Sequence, residues 1–337
     1  MLNERFLGMA NKDYFILEEE YPIIKNKDKQ RKIRPLFIWA GGKNKMLKHY
    51  IPLMANLEFE NYCEPFFGGG AMLLRVLVKN PNLKRIVIND INDGIIRIYN
   101  SIKNDVNTFI HEMDRLEGEY IRLNKEERKK LYFEIRYEHA FDYEKWRETP
   151  SIEAAHLYFL MKTGFNGIWQ VNQNTNGRFG TPSGLLNQVV NIYDKNNVMM
   201  WSEILQENVE IYSEDWRDCV NRVEDNNTFF FLDPPYRGGF TKYGQDFDDD
   251  KQIEVVAFCK RLKNSKVFLC NRDEDDGFFE KYKGSLNLKR FEVIYTAGRR
   301  KKTERKENEY VKLDKSDGYD ESPSYDAKLA KEILLYN

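Results

Sequence analysis

An α/β fold of the Rossmann-like, doubly wound type is predicted by three stretches of the sequence. Residues 61–78 read as a short strand, a turn with three consecutive glycines and the start of a helix. Residues 85–90, R-I-V-I-N-D, form an apolar run that ends in an acid. Residues 228–236, T-F-F-F-L-D-P-P-Y, begin like a parallel strand covered on both faces. Strand, glycine turn, helix, strand and acid outline the nucleotide-binding half of such a sheet.

The other elements follow from apolar spacing along the chain. In residues 43–57 and 91–102, apolar side chains recur at helical spacing. Residues 1–34 are charged and weakly periodic and 301–327 are polar, so we predict an extension and a mobile loop there. The further predicted elements are helices at 71–78 and 251–263, a mostly helical stretch at 187–208, and strands at 209–212, 266–270, 288–295 and 332–336.

A helical, charged stretch separates the two halves of the predicted sheet. It gives way at 164–184 to a segment rich in glycine and asparagine. There N-T-N-G is a turn signal between two short runs, 168–171 and 178–181, so we predict a protruding β-hairpin. The predicted domains are an N-terminal extension at 1–34, a sheet domain at 35–105 and 209–337, and a mostly helical inserted domain at 106–208.

Charge gives no global sign of a nucleic-acid partner. The 337 residues include 53 basic and 54 acidic ones, for a net charge of −1. Two local basic stretches, at 25–34 and 299–306, are typical of a solvated surface. Both lie close to stretches that we assign to the site, which favours a second interpretation, contacts to phosphates.

Cysteine and histidine spacing gives no sign of a metal site or of disulfides. None of the four cysteines forms a C-x-x-C pair, and the four histidines make no H-x-x-x-H pattern. We therefore predict no protein-bound metal. The chain shows no signal-peptide core and no run long enough to span a membrane. We expect a soluble protein of a reducing compartment, with no membrane partner.

A carboxylate and an aromatic ring are predicted at the end of the central strand. Because prolines cannot continue a ladder, Asp233 and Tyr236 lie just beyond the strand, where open α/β sheets bind ligands. A strand that simply ends in a polar turn is the alternative, and the apolar run and the prolines alone do not separate the two.

The glycine triplet at 68–70 is the second predicted ligand contact. Glycine lets a ligand approach the backbone where a helix begins, although a purely structural turn is the alternative. The spacing matches neither the dinucleotide nor the phosphate-loop motif, which leaves a small adenosine-type ligand. Asp90 can accept hydrogen bonds from both ribose hydroxyls of such a ligand, or Asp90 or Asn92 can cap the next helix.

The tetrapeptide Asp233-Pro234-Pro235-Tyr236 suits the activation of an amino group on a base. Such a nitrogen is a poor nucleophile because its lone pair is delocalised into the ring. A carboxylate and the carbonyl of the following proline can accept its two hydrogens and free the lone pair, which is preorganised electrostatics. The neighbouring aromatic ring can stack on a base that has left the duplex.

At these residues the chain resembles the Dam-type family of S-adenosylmethionine-dependent DNA adenine N6-methyltransferases. The family's order is a cofactor element, an acid-Pro-Phe-x-Gly turn, a target-recognition domain and Asp-Pro-Pro-Tyr. It is matched by W-A-G-G-K at 39–43, E-P-F-F-G-G-G at 64–70, the helical insert with its hairpin, and 233–236. The resemblance covers roughly residues 36–300 and the last strand. It implies a Rossmann-like methyltransferase sheet with an inserted target-recognition domain, S-adenosyl-L-methionine as cofactor and double-stranded DNA as substrate.

The resemblance also assigns roles to individual residues. The catalytic residues that it implies are Asp233, Pro234, Pro235 and Tyr236. The implied cofactor-binding residues are Trp39, Lys43, Glu64, Phe66, Gly68, Asp90, Asp215, Trp216 and Asp233. The predicted DNA-binding residues are Asn166, Trp169, Gln170, Asn172, Pro182, Arg299 and Arg300.

The recognition segment, residues 164–184, departs from the family pattern at Gln170. Dam enzymes that read GATC carry an arginine there, and arginine prefers guanine, whereas glutamine prefers adenine. We therefore do not expect GATC specificity; another site or relaxed specificity is open. Trp169 either stacks on bases or packs within the hairpin.

Two rival functions remain. One is methylation of another amino group, such as cytosine N4 or an adenine in RNA. The other is a non-catalytic DNA-binding relic, against which the intact Asp233 and Tyr236 argue. The expected partners are DNA and a cognate restriction endonuclease, and the expected form is a monomer or weak dimer. We expect a cytoplasmic enzyme of bacterial, phage or viral origin.

Overall fold

The computed structural model describes most of the chain. The described residues are 23–26, 29–37, 39, 44–141, 148–167, 169–171, 173–175, 177–184, 191–223, 225–238, 247–295 and 328–337. The strands are β1 (Ile23–Asn26), β2 (Lys29–Lys32), β3 (Asn61–Glu64), β4 (Arg85–Asn89), β5 (Val209–Tyr212), β6 (Thr228–Leu232), β7 (Lys266–Arg272), β8 (Asn287–Tyr295) and β9 (Lys328–Tyr336). The α-helices are α1 (Asn44–Met54), α2 (Ala71–Lys79), α3 (Asp93–Asn104), α4 (Val106–Arg122), α5 (Lys125–Phe141), α6 (Pro150–Thr163), α7 (Lys195–Leu205), α8 (Trp216–Val223), α9 (Asp249–Arg261) and α10 (Phe278–Tyr282).

Seven strands form one mixed sheet in the order β5-β4-β3-β6-β7-β9-β8. The pairs from β5 to β7 are all parallel, whereas β9 runs antiparallel to both of its neighbours. This arrangement confirms the predicted Rossmann-like α/β sheet. The strand order reverses between β3 and β6, because the chain runs outward from β3 to β5 and then returns to β6. Ligands of such sheets bind in the crevice outside the strand ends at this reversal.

Strand β6 is buried on both faces, as its continuous apolar run predicts. Phe229 and Phe231 belong to the hydrophobic core on one face, and Phe230 and Leu232 to the core on the other. None of the four is more than 1% exposed. Side chains of α1, α2 and α3 join the first core, and those of α8, α9 and α10 join the second. Helices thus cover both faces and fix β6 at the centre of the sheet.

The segment between α3 and β5 is helical in the described residues. Helix α6 packs against α3, α4 and α5, and α7 packs against α3 and α4. The part of the chain that forms these contacts includes most of the predicted insert, whose boundaries at 106 and 208 stay a prediction. In this part of the chain and in the other described segments, no helix is long and apolar enough to cross a membrane.

The predicted hairpin at 164–184 pairs without regular strands. Its described residues form two isolated bridges, Val171 with Phe179 and Gly164 with Ser183, and no continuous ladder. Short 3₁₀ turns at Phe165–Gly167 and Gln173–Thr175 occupy the rest. The two predicted runs thus pair antiparallel at Val171 and Phe179, but the described residues of 168–171 and 178–181 do not form continuous strands.

Side chains of α5 bind the backbone of the recognition segment. The carbonyl of Thr181 accepts hydrogen bonds from the Tyr132 hydroxyl, at 2.8 Å, and from Arg136, at 2.9 Å. Arg136 also donates to the carbonyl of Gly180, at 3.1 Å. These bonds therefore hold the backbone at Gly180 and Thr181 against α5.

Local capping shifts one predicted helix. The mostly helical stretch expected at 187–208 is helix only over Lys195–Leu205. Asp194 caps it by accepting hydrogen bonds from the N–H groups of Asn196 and Asn197, both at 3.1 Å. Residues 191–194 are not helical, and residues 185–190 lie outside the described chain. The antiparallel pair β1–β2 and the helices α8 and α10 were not predicted.

Candidate active site

The glycine turn after β3 is closed by contacts that leave no room for side chains. Gly68 and Gly70 have positive φ angles of 50° and 71°, which favour glycine. A Cβ on Gly68 would lie 2.7 Å from Cδ1 of Trp39, and one on Gly70 would lie 2.7 Å from the rings of Phe67 and Trp201. The turn therefore holds the Trp39 indole directly against the backbone at the carboxyl end of β3.

Asp90, at the end of β4, is bound to this turn. Its Oδ2 accepts a hydrogen bond from the N–H of Gly68, and its Oδ1 accepts one from the N–H of Asn92, both at 2.9 Å. The side chain of Asn92 caps α3 by accepting from Gly94 and Ile95. The capping role thus belongs to Asn92, which leaves Asp90 facing the glycine turn. Desolvation of the Asp90 carboxyl raises its pKa to about 6.

Asn89 joins three strand ends beneath the site, and the sequence analysis did not single it out. Its Nδ2 donates to the carbonyls of Pro65 and Glu214, both at 3.0 Å, and its Oδ1 accepts from the N–H of Glu214 at 2.9 Å. The side chain is 1% exposed. An amide within the apolar run R-I-V-I-N-D is the signal that could have identified it. It ties the segments after β3 and β5 to the end of β4.

Glu64, the last residue of β3, is a buried carboxyl group next to other carboxylates. Its Oε2 accepts a hydrogen bond of 2.7 Å from the Tyr62 hydroxyl. Burial raises the pKa of Glu64 well above its ordinary value, and the negative charges of Asp233 and Asp90 raise it further. Three carboxyl groups thus lie close enough to interact at the carboxyl ends of β3, β4 and β6.

An aromatic pair lies beside these carboxylates. The rings of Phe66 and Trp216 stack with centroids 6.3 Å apart and an interplanar angle of 30°. Trp216 also packs edge-on against Phe258. The neighbouring Asp215 carboxylate accepts from Arg217 Nε at 2.7 Å and Nη2 at 2.9 Å, and this pairing lowers the pKa of Asp215. The structure therefore brings predicted residues from the segments after β3 and β5 together.

The tetrapeptide at 233–236 directly follows β6 and is held by contacts to other elements. Pro234 is buried, whereas Asp233, Pro235 and Tyr236 are partly exposed. The Tyr236 hydroxyl donates to Oε2 of Glu332 at 3.2 Å. Desolvation, followed by the nearby charge of Asp233, raises the pKa of Tyr236 well above its ordinary value. The phenol therefore stays neutral and acts as a hydrogen-bond donor.

Arg237 anchors the residue after the tetrapeptide. Its Nε donates to Asp249 at 2.7 Å, and its Nη1 donates to Asp276 at 2.8 Å. The guanidinium carbon lies 3.8 Å from the centroid of the Phe278 ring. Two carboxylates and a ring thus fix the chain directly downstream of Tyr236.

Trp169 of the recognition segment lies in a packed position. Trp169 is 9% exposed. Its ring centroid is 5.9 Å from that of Trp39 and 5.3 Å from that of Phe179. Of the two interpretations of Trp169, packing within the protein is the one for which contacts are seen. The ring connects the recognition segment to the glycine turn through Trp39.

The other predicted DNA-binding residues differ in exposure, and some of them lie outside the described residues. Gln170 is partly exposed and Pro182 is exposed. The carbonyl of Gln170 accepts from the N–H of Gly180 at 2.6 Å, which fixes the backbone beneath its side chain. Asn166 lies in a 3₁₀ turn. The remaining predicted site residues, Lys43, Asn172, Arg299 and Arg300, lie outside the described residues.

The cysteines and acidic residues of the described segments show no metal site. All four cysteines are free and buried. Within the described ranges, no group of three or more His, Cys, Asp or Glu side chains could hold a metal ion.

Fold and site together define a class of protein. A doubly wound sheet with an acid at the end of β4 and D-P-P-Y at the end of β6 is an α/β enzyme that acts on an amino group of a nucleic-acid base. The chain belongs to the D12 class N6 adenine-specific DNA methyltransferase family, whose family model matches residues 39–309. It is thus an enzyme that methylates N6 of adenine in DNA.

The chain matches curated relatives over most of their length. The chain is 33% identical over 273 residues to the Type II methyltransferase M.MjaIII of Methanocaldococcus jannaschii, covering 77% of this chain and 90% of the relative. It is 26% identical to the Type II methyltransferase M1.LlaDCHI of Lactococcus lactis, over 83% of this chain and 94% of the relative. It is 25% identical to the DNA adenine methylase of Vibrio cholerae, over 72% and 83%. The predicted resemblance to the Dam-type family is confirmed.

Proposed function

We propose that the enzyme takes its methyl group from S-adenosyl-L-methionine and transfers it to an adenine flipped out of duplex DNA. One observation carries this proposal. Asp233 and Tyr236 directly follow the central strand β6, next to the glycine turn and Asp90 at the reversal of strand order. The reacting base and the methyl donor would therefore meet between two adjacent strand ends.

The residues at the strand ends fit this methyl donor. S-adenosylmethionine supplies a methyl group activated by a sulfonium, and it also carries an ammonium group. Asp90 and Asp233 supply negative charge that complements these cations, and both charges raise the pKa of the neighbouring Glu64, which supports a shared site. Gly68 has no side chain, so the Trp39 ring lies against the backbone of the turn, where it can contact a ligand. The residues that would hold the cofactor are Trp39, Lys43, Glu64, Phe66, Gly68, Asp90, Asp215, Trp216 and Asp233.

Asp233 and Pro234 would activate the adenine amino group. The carboxylate and the proline carbonyl accept its two hydrogens, which draws the nitrogen toward tetrahedral geometry and frees its lone pair. The neutral amine needs no strong base, because its proton can leave after the methyl group has arrived. The Pro235 carbonyl already accepts a hydrogen bond from Gln252 at 2.7 Å, which favours Pro234 as the second acceptor.

Tyr236 would receive the flipped adenine by stacking. Extrusion of a base costs a few kcal/mol, which stacking and pocket contacts offset. The recognition segment, through Asn166, Gln170, Asn172 and Pro182, would read neighbouring bases. Glutamine at 170 favours adenine over guanine, so we propose a target other than GATC. The basic stretches near Lys32 and Arg299 would contact phosphates.

Two relatives are named Type II methyltransferases, which supports a cognate restriction endonuclease as a genetic partner. We propose that the enzyme acts as a monomer or weak dimer. DNA as substrate supports action in the compartment that contains the chromosome or the infecting genome, which is the cytoplasm of a prokaryotic host.

The experiment combines methyl transfer with sequencing. Duplex DNA, single-stranded DNA and RNA are incubated with the enzyme and labelled S-adenosylmethionine, then digested to nucleosides, and methylated duplex DNA is sequenced molecule by molecule. We expect N6-methyladenine in duplex DNA at a defined motif. N4-methylcytosine, or a preference for RNA, would replace the proposal with its rival.

Asp233→Ala tests the mechanism, and Asp225→Ala is its matched control. Asp225 precedes β6, at the end of the strand opposite to Asp233. Its carboxylate accepts hydrogen bonds from the backbone N–H groups of Lys263 and Asn264, both at 2.8 Å. We expect Asp233→Ala to abolish methyl transfer while DNA binding persists, and Asp225→Ala to retain kcat. Full activity of Asp233→Ala would refute the mechanism.

A further inference from the structure

Two buried amides form a chain of hydrogen bonds behind the catalytic tetrapeptide. Gln252 on α9 is 1% exposed, and Asn271 on β7 is 0% exposed. Asn271 Nδ2 donates to Gln252 Oε1 at 2.8 Å, and Gln252 Nε2 donates to the carbonyl of Pro235 at 2.7 Å. Asn271 Oδ1 accepts from the N–H of Arg237 at 3.1 Å and from that of Arg272 at 2.9 Å. The chain therefore has one end at Pro235 and the other at Arg237.

The orientation of both amides is fixed by the backbone. An N–H group can only donate, so the atom of Asn271 that faces Arg237 and Arg272 must be its oxygen. Its NH₂ group then points to Gln252, whose oxygen must accept. The NH₂ group of Gln252 is left to face Pro235, where it meets a carbonyl. Neither amide can be reversed without opposing two donors or two acceptors.

These contacts set the two peptide planes that flank Tyr236. The Pro235 carbonyl belongs to the peptide unit before Tyr236, and the Arg237 N–H belongs to the unit after it. Proline already fixes φ within the tetrapeptide. The remaining freedom of the backbone at Tyr236 is thus restricted on both sides by side chains that do not face the site.

We propose that Gln252 and Asn271 are positioning residues for methyl transfer. By holding the peptide planes around Tyr236, they keep the ring in its stacking position. By occupying the Pro235 carbonyl, they leave the Pro234 carbonyl as the acceptor that converges with Asp233 on the amino group. This inference rests on the proposed function, because it assigns these residues an effect on the same reaction.

The expected effect is on the rate of the chemical step. A misplacement of about 1 Å in a catalytic constellation costs about a hundredfold in rate. Gln252→Leu removes the donor to Pro235 while filling the buried space. We expect its kcat per folded molecule to fall about ten- to a hundredfold, with KM for S-adenosylmethionine nearly unchanged.

Asn61→Leu is the matched control. Asn61 is a buried amide at the amino end of β3, and its Nδ2 donates to the carbonyl of Asn226 at 2.7 Å. Gln252→Leu loses the bonds to Pro235 and from Asn271, and Asn61→Leu loses the bond to Asn226, so both variants should lose thermal stability. We expect only Gln252→Leu to lose kcat. A base analogue that fluoresces when unstacked, placed at the sequenced target adenine, reports flipping without methyl transfer and should change only in Gln252→Leu.

The isosteric variant Gln252→Glu adds a pH test and guards against poor folding of Gln252→Leu. A protonated glutamic acid can donate to Pro235 and accept from Asn271, whereas a carboxylate would oppose the Pro235 carbonyl. Its kcat relative to wild type, at saturating cofactor, is therefore expected to recover as pH falls.

The outcomes separate the two levels of inference. A wild-type enzyme that methylates no adenine would refute the proposed function itself. If the wild type is active, full kcat in Gln252→Leu would overturn the positioning role alone. A ratio of Gln252→Glu kcat to wild-type kcat that does not vary with pH would do the same.

Discussion

The hydroxyl of Tyr236 donates a hydrogen bond to Oε2 of Glu332 over 3.2 Å, although the two residues are 96 positions apart in the chain. Glu332 lies within β9 and is 1% exposed. Strand β9 is the one inserted antiparallel between β7 and β8. The antiparallel insertion therefore contributes directly to the geometry of the tetrapeptide and does more than extend the sheet.

Tyr236 is expected to act mainly through its ring. Tyr236→Phe keeps the stacking surface and loses the hydrogen bond to Glu332, so we expect a few-fold loss of kcat. Tyr236→Ala loses the ring, and base stacking on an aromatic side chain is worth about 1–3 kcal/mol. We therefore expect a further loss of about ten- to a hundredfold in kcat/KM for DNA, measured by steady-state methylation. Equal activity of the two variants would contradict the stacking role.

Asp90 is expected to make cofactor affinity dependent on pH. Its pKa of about 6 means that only about a tenth of the groups are ionised at pH 5. Since the carboxylate is the better acceptor for ribose hydroxyls, the Kd for S-adenosylmethionine should rise about tenfold between pH 7 and pH 5. Asp90→Asn should bind weakly without this pH step, as calorimetry can measure. Asp215→Asn is the control and should retain the step, because the pKa of Asp215 is lowered.

The same raised pKa has a consequence for folding. The folded protein binds the Asp90 proton more tightly than the unfolded chain, so ionisation of this group lowers the free energy of unfolding as pH rises from about 4 to about 6. Asp90→Asn lacks this ionisation. Its stability relative to wild type should therefore be higher at pH 7 than at pH 4 in denaturant titrations, and an opposite trend would contradict the assignment.

Asn89 is expected to support both stability and cofactor binding. Asn89→Leu leaves the buried backbone groups of Pro65 and Glu214 without this partner, at a cost of about 1–3 kcal/mol for each unsatisfied group. Urea unfolding and cofactor titration measure the two effects. Asn80→Leu is the control: its Nδ2 donates to the carbonyl of Phe59 at 2.7 Å, away from the site. It should lose stability but keep cofactor affinity.

Gln170 is expected to help set the methylated sequence. Gln170→Arg should shift preference toward guanine at one position of the motif, with discrimination of about 1–3 kcal/mol. Sequencing of methylated DNA measures the change. Asn174→Arg adds the same charge to an exposed turn of the recognition segment and should raise overall affinity without altering the motif. An unchanged motif in Gln170→Arg would refute its reading role.

Much of the sheet could be predicted from the sequence because its signals are local. The apolar run before Asp233 and the glycine triplet before α2 identify their own elements. The recognition segment could not be predicted in detail, because Tyr132 and Arg136 of α5 bind its backbone at Gly180 and Thr181. Such contacts between groups distant in the sequence have no local pattern.

The supporting amides were missed for the same reason. Asn89 binds Glu214 across 125 residues, and the partners of Gln252 include a carbonyl, which any residue possesses. Asp90 could be singled out from the sequence because an acid at a strand end has few alternative roles. The capping alternative was settled only by the position of Asn92.

The place of β9 in the sheet has a consequence for how the enzyme is made. A nascent chain that has not yet released residues 328–336 from the ribosome has open edges on β7 and β8, and it lacks the carboxylate that holds Tyr236. Unpaired edges of this kind invite association with other chains. Pairing of β9 with β7 and β8 therefore both closes these edges and places Glu332 against Tyr236.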